Sequence, residues 1–368
     1  MKIVFWGTRG SIAQSNADVL RYGGHTSCVE IRSQANDLLI LDAGTGLQRL
    51  GRSLITEKNR PRTASILISH THWDHIQGLP FFTPFFIPQQ EWNIFGPSTL
   101  SQALKSILYG QMQQTYFPVT PEMFNATIKY HTAVEGSFEI GDIKISTCYL
   151  NHPGVTLGYR IEVDGYTIVY ATDHELHDCR LAHGGVPIEG SEDALHGDFL
   201  AQADYVIHDT QYLADEYEKH RGWGHSTMEY VVDLAHSADV KNLIMFHHDP
   251  LRTDQKVDQV VDLAHERLKG RFGKMGVVAA SEHIPIIPHR NRTLFAAPKI
   301  PIISSTHSHI QAQKDSEDTI GTHTETKKRE PIINPQSTQA QSTQSLQDFA
   351  HAFHKSLSSV QYAMLCYV

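Results

Sequence analysis

Residues 64–80 read ASILISHTHWDHIQGLP, and inside them His70-Thr71-His72-Trp73-Asp74-His75 sets three histidines and one aspartate in six positions. The apolar run from Ile66 to Ile68 has the pattern of a buried strand that delivers the chain into a polar turn. Side chains repeat every second residue in an extended segment, so His70 and His72 point to the same side. Asp74 and His75 fall where the chain turns and can face a second ion. Imidazoles with a carboxylate suit zinc or a neighbouring transition metal, whereas oxygen-only sets suit magnesium or calcium. The stretch therefore predicts a buried strand ending in a site for two divalent metal ions, zinc first and manganese as the alternative.

A length of 368 residues allows either one large α/β domain with a tail or two domains. The formal charge of −9 gives no global basic field to draw in a nucleic-acid backbone. Cys28, Cys148, Cys179 and Cys366 are widely spaced and form no CxxC pair, so neither a thiolate zinc site nor a disulfide framework is indicated. The opening MKIVFWGTRGS has too short an apolar stretch for a signal-peptide core. No run approaches the roughly 20 apolar residues that span a membrane. These features predict a cytoplasmic protein with no membrane partner.

Working outward, residues 3–6 read as a first strand, followed by a flexible turn of Gly7, Gly10 and Ser11 that holds Arg9. Strands at 27–32 and 38–41 form a hairpin-like pair, and the second runs into LDAGTGL, whose small residues let backbone pass close to the metal loop. In LPFFTPFFIP, residues 79–88, three prolines exclude a long helix, and the phenylalanines read as core. An amphipathic helix is expected over 98–110 and strands over 125–130 and 143–150, parted by the turn at 139–142. Residues 158–163 and 166–171 flank Asp164-Gly165, a type I′ hairpin signal. Residues 174–198 show no period and read as a long loop beside the site.

A strand at 203–208 leads into Asp209. Ser226 and Glu229 have capping-box spacing at the start of a helix, which puts His225 beside free helical N–H groups, where an anion is held. Residues 242–246 read as a buried strand that ends in His247-His248, with a helix over 255–269 and a closing strand at 276–280 after it. His152, before Pro153 at a strand end, reads as a ligand or a loop residue with equal weight when taken alone. The catalytic domain is expected to span 1–290. Residues 291–345 are a low-complexity linker within a disordered C-terminal tail, and 346–368 regain helical periodicity as a possible short helix.

The HxHxDH spacing, with the GTRGS turn, the TSCVE strand, the LDAGTG turn and NHPGVTLGYRIE, resembles the metallo-β-lactamase superfamily. Within it the chain is similar to the phosphodiesterase branch, which includes ribonuclease Z and cyclic-nucleotide phosphodiesterases such as the anti-Pycsar enzymes. The resemblance covers nearly all of residues 1–290 and implies an α/β fold, a four-layer αβ/βα sandwich with the metals at one edge. It implies that His70, His72 and His152 hold one ion, that Asp74, His75 and His247 hold the other, and that Asp173 bridges them. His248 remains the rival to His247. The HDT segment at 208–210 and the HST segment at 225–227 resemble ribonuclease Z motifs in which a carboxylate orients a phosphate-contacting histidine. This implies catalytic roles for Asp209 and His225, the latter as general acid, with Asp74 beside them.

A metal pair of this kind lowers the pKa of a bound water and clamps the attacked centre, so hydrolysis is the expected reaction. Ribonuclease Z enzymes carry a tRNA-gripping arm between the residues that correspond to His152 and Asp173, and here only the Asp-Gly hairpin stands between them. With the acidic balance, that favours a small phosphodiester substrate, a cyclic nucleotide, over long nucleic acid. The alternatives are a ribonuclease Z-like tRNA 3′ endonuclease and, second, a lactonase or thioesterase of the same fold. A homodimer is expected by analogy.

Overall fold

In a computed structural model, residues 1–99, 101–271, 273–282 and 284–289 are described. The apolar runs form two sheets. The first holds β1 (Lys2–Gly7), β2 (Cys28–Arg32), β3 (Leu38–Leu41), β4 (Thr63–Leu67), β5 (Glu91–Gly96) and β6 (Thr127–Thr132), side by side in chain order. The second holds β7 (Gly136–Ile140), β8 (Ile143–Leu150), β9 (Thr156–Val163), β10 (Tyr166–Ala171), β11 (Tyr205–Asp209), β12 (Asn242–Phe246) and β13 (Gly276–Ala279), again in chain order across the sheet. Neighbours are antiparallel from β1 to β3 and from β7 to β10, and parallel elsewhere. Every residue of β3, β11 and β12 is buried, as expected for strands covered on both faces. Strand β1 instead alternates between its two faces.

The helices are α1 (Gly46–Thr56), α2 (Trp73–Ile76), α3 (Leu104–Gly110), α4 (Glu192–Leu200), α5 (Ala214–Tyr217), α6 (Met228–Ser237) and α7 (Asp254–Leu268). Between the sheets, Phe5, Leu41 and Leu67 pack against Ile145, Tyr159, Ile207 and Phe246. Leu47, Leu50 and Leu54 of α1, with Phe82 and Phe85, pack on Ile40, Ile66 and Trp92 of the first sheet's outer face. Val231 and Leu234 of α6 and Val257 and Ala264 of α7 cover that of the second. The result is helix, sheet, sheet, helix, the four-layer sandwich. Apolar burial of this kind stabilises by about 25 cal/mol per Å² removed from water, which makes these three clusters the main stabilising term.

Strands β8, β10, β11 and β12 run the same way, because two antiparallel steps separate β8 from β10 and the remaining pairs are parallel. Their carboxyl ends therefore lie at one edge, where open α/β sheets bind ligands. The expected Asp164-Gly165 turn is present, with φ of 53° and 76°, both in the left-handed region a type I′ turn demands.

Some expectations need correction. The 174–198 segment is not all loop, because α4 begins at Glu192 and a 3-10 turn spans Cys179–His183. The helix expected over 98–110 starts only at Leu104, and ahead of it Gln102 N donates to Thr99 Oγ1 at 3.0 Å. Strand β7 occupies part of what reads as a connection between strands. Ser226 does not cap α6. Thr227 does, accepting from Tyr230 N at 3.2 Å, while Glu229 accepts from Ala214 N at 3.1 Å. The linker and the possible helix at 346–368 lie outside the described residues. No helix among the described residues is long and apolar enough to cross a membrane.

Candidate metal centre

The residues singled out in the sequence converge from six chain segments. His70, His72 and His152 offer nitrogen atoms within 4.8 Å of one another, and so do the ligand atoms of Asp74, His75, Asp173 and His247. Asp173 stands between the groups. Its Oδ1 lies 3.3 Å from His75 Nε2 and 3.2 Å from His247 Nε2, while its Oδ2 lies 3.7 Å from His70 Nε2 and 3.8 Å from His152 Nε2. Asp74 Oδ2 completes the second group, 3.1 Å from His75 Nε2 and 3.3 Å from His247 Nε2.

Backbone strain aims three of the side chains inward. Asp42, Asp173 and His247 follow β3, β10 and β12 and take left-handed φ values of 58°, 57° and 55°. Such a conformation is uncommon outside glycine, and Asp, Asn and His are the residues that tolerate it best. At these strand ends the turn swings a side chain out of the alternating faces and towards the sheet edge. Gly10 lets the first loop press on the site, because a Cβ there would stand 2.4 Å from the His247 ring. In the same loop Ser11 N donates to Asp74 Oδ2 at 2.8 Å. Arg9 of this loop turns inward. It is fully buried, donates to Gly23 O at 2.8 Å and Arg252 O at 2.6 Å, and faces Asp254.

Three of the inward-facing rings are held by their other nitrogen. His75 Nδ1 donates to Asp42 Oδ2 at 2.8 Å, His247 Nδ1 to Gln211 Oε1 at 2.8 Å, and His152 Nδ1 to the Gly224 carbonyl at 2.9 Å. Asp42 also accepts from Ser69 Oγ at 2.8 Å and Tyr170 OH at 2.7 Å. Such outer partners fix ring orientation and tautomer, as they do around metal-ligating histidines generally. Asp42 and Gln211 escape a reading of the sequence. The small-residue LDAGTG turn was the only signal near the first, and the second sits unmarked in the Asp209-Thr210-Gln211-Tyr212 run.

The residues fit divalent ions. The Nε2 atoms of His70 and His75 are buried without a hydrogen bond. His72 Nδ1 and His152 Nε2 lie 3.0 Å apart, with the second nitrogen of His152 already committed to a carbonyl. Bare nitrogens and carboxylate oxygens crowded in this way need a cation between them. Burial lowers the His70 pKa well below the usual imidazole value, which leaves the ring neutral and ready to bind one. His248, the rival, points elsewhere. Its Nε2 donates to Ala280 O at 3.1 Å.

His225 and Asp209 sit beside the cluster. His225 Nδ1 donates to Asp209 Oδ2 at 2.8 Å, and Asp209 Oδ1 accepts from Gln211 N at 2.8 Å. The His225 ring stacks on His247 with centroids 5.0 Å apart and lies 5.5 Å from the His152 ring. Burial pulls the His225 pKa down, but Asp209 outweighs it and the value rises to about 9. His174 supplies an outer contact, its Nδ1 accepting from Asn151 N at 3.2 Å, next to His152.

A four-layer sandwich with histidines and aspartates gathered at the shared edge of its sheets defines a metallohydrolase of the metallo-β-lactamase fold. A family model described as a beta-lactamase superfamily domain matches residues 38–248, and the chain belongs to that superfamily, in its phosphodiesterase branch. It is 23% identical over 296 residues to ribonuclease BN of Cronobacter sakazakii, an alignment covering 67% of this chain and 88% of the relative. It is 29% identical over 237 residues to ribonuclease Z of Sulfolobus acidocaldarius, covering 57% and 77% respectively. In fold it is similar to the metallo-beta-lactamase fold protein YhfI from Bacillus subtilis. There the TM-score is 0.55 at 17% identity, with 77% of this chain and 98% of that one covered.

Proposed function

We propose that this phosphodiesterase hydrolyses a small cyclic phosphodiester, a 3′,5′-cyclic nucleotide, rather than long nucleic acid. His70, His72 and His152 would hold one divalent ion, Asp74, His75 and His247 a second, and Asp173 would be shared, with zinc the first choice for this mixed imidazole–carboxylate set. When bound, such a pair supplies an ionised water at neutral pH and neutralises charge on the attacked phosphate. The protein's own groups do the rest. Asp209 fixes Nδ1 of His225, leaving Nε2 as the proton-bearing edge for the leaving oxygen. Ser11 N and Gln211 hold Asp74 and His247 in place so that the site does not reorganise during the reaction.

One observation carries the choice of a small substrate. Between His152 and Asp173 the chain makes only β9, the Asp164-Gly165 turn and β10, all within the sheet, with no projecting element to grip a large partner. The Asp209–His225 pair supports phosphate over a carbon ester, since an imidazole held by a carboxylate suits both phosphoryl oxygens and an alkoxide. The ribonuclease BN and ribonuclease Z relatives favour a second reading, tRNA 3′ processing, because the match extends over most of their length. A panel of 3′,5′-cyclic nucleotides, 3′-extended tRNA, bis(p-nitrophenyl) phosphate and homoserine lactones, assayed with metal analysis, separates these. Turnover is expected on cyclic nucleotides and the nitrophenyl diester. Efficient trimming of the tRNA would replace the first reading with the second, and lactone hydrolysis alone would remove both.

A further inference from the structure

A recess of about 630 Å³ opens beside the cluster, and His152 is part of its wall. That volume lies within the roughly 300–1,000 Å³ range of small-molecule sites. The lining mixes polar and apolar groups, and its inner part is firm. Leu176 is 2% exposed and Tyr217 1% exposed, and both line the recess together with Gly224. Glu175 also lines the recess, and its carboxylate accepts from Tyr217 OH at 2.7 Å, Gly222 N at 2.8 Å and Gly224 N at 2.7 Å. Three donors satisfy that charge and lock the 222–224 backbone. Gly224 must be glycine, with φ of +89° and the His152 ring where a Cβ would stand. The rim is polar, formed by Asn151, His177 and Arg221, with Cys179 beside them. The Arg221 side chain is 48% exposed, and its partner Glu218 stands 3.6 Å away in open solvent.

A firm recess of mixed lining with a guanidinium and several hydrogen-bonding groups at its mouth suits a flat ring with a polar edge. We propose that this recess is the subsite for the nucleoside base of the substrate, placed so that its phosphate reaches the cluster on the other side of His152. The inference rests on the cyclic-nucleotide reading and adds to it where the base goes. Glu175 then acts as a positioning residue, since through Gly224 it sets both the subsite floor and the carbonyl that holds His152.

The test uses the full chain loaded with zinc. KM and kcat are measured for a 3′,5′-cyclic nucleotide and for the 3′,5′-cyclic phosphate of 1-O-methylribose, which has the same ring and no base. Cys179→Trp, which plugs the recess, and Arg221→Ala should each raise KM for the nucleotide about tenfold or more, the scale of one lost base-stacking contact. Neither should change the base-free substrate. In wild type, a nucleoside 5′-monophosphate should shield Cys179 from iodoacetamide, followed by peptide mass spectrometry. Equal losses on both substrates, no loss on either, or unshielded Cys179 would overturn the subsite. If wild type cleaves neither ring, the cyclic-nucleotide reading falls, and the shielding measurement still decides the recess by itself.

Discussion

The two ligand groups share Asp173 but differ in how they meet solvent. In the first, His70 is buried, His152 is partly so and His72 is exposed, whereas Asp74, His75, Asp173 and His247 of the second are all buried. The outer supports differ in the same sense. His75 and His247 are tied to Asp42 and Gln211, themselves buried, while His72 is supported chiefly by its contact with His152. The enclosed group is bedded in the core, and the open group is the side that faces solvent. Under the proposed two-ion reading, a site built this way would keep one ion firmly and leave the other exchangeable.

The shared carboxylate gives the largest test. Asp173→Ala removes an oxygen from each group, so kcat/KM should fall by about a thousandfold or more, with both ions lost by elemental analysis. Retention of one full equivalent would show that the groups are independent. Next, His225→Ala should lower kcat by roughly 10²–10⁴-fold, the usual range for a general acid, with metal content unchanged. Loss of metal there would move His225 from acid to ligand. The asymmetry itself is smaller and is read kinetically. A chromophoric chelator should withdraw one ion in a fast phase and the second about 10–100-fold more slowly, the scale set by outer-shell support, and a single phase would erase the distinction between the groups.

The smallest effect lies outside both groups and serves as a control. Burial raises the Glu282 pKa to about 7, against the pull of the His25 N–H and of Arg49. A carboxyl whose folded pKa is raised contributes stability that is fully present below its ordinary value, 4.5, and is lost as pH rises through about 7. The Tm of Glu282→Gln should therefore fall less than that of wild type between pH 5 and pH 8. An identical slope would mean that the Arg49 pair outweighs burial. Metal content should not change in either case.

The candidate ligands were legible because they lie at strand ends, and strand ends are where apolar runs stop. His70 to His75 follow β4, His152 follows β8, Asp173 follows β10 and His247 follows β12. What stayed hidden has no local signature. Helix α4 turns Asp193, His196 and Gly197 inward along with Leu200, so its buried face is largely polar and no apolar period marks it. Strand β7 is at a sheet edge with three of its five residues exposed, which blurs its alternation. Asp42, Gln211 and Glu175 act on partners 33 to 49 residues away, a relation that only the folded chain creates. The same holds for His247 over His248, since the left-handed φ at His247 decides which ring faces the cluster.

The Asp164-Gly165 turn has a further use. It is a two-residue reversal with both flanking strands fully paired in the sheet, so its ends already stand at the spacing an inserted hairpin or small module needs. Because β9 and β10 are antiparallel, the turn stands at the edge of the sheet opposite Asp173, so a module spliced between these two residues would leave every candidate ligand and every orienting hydrogen bond in place. The scaffold thus keeps an insertion port at one edge that is insulated from the chemistry at the other.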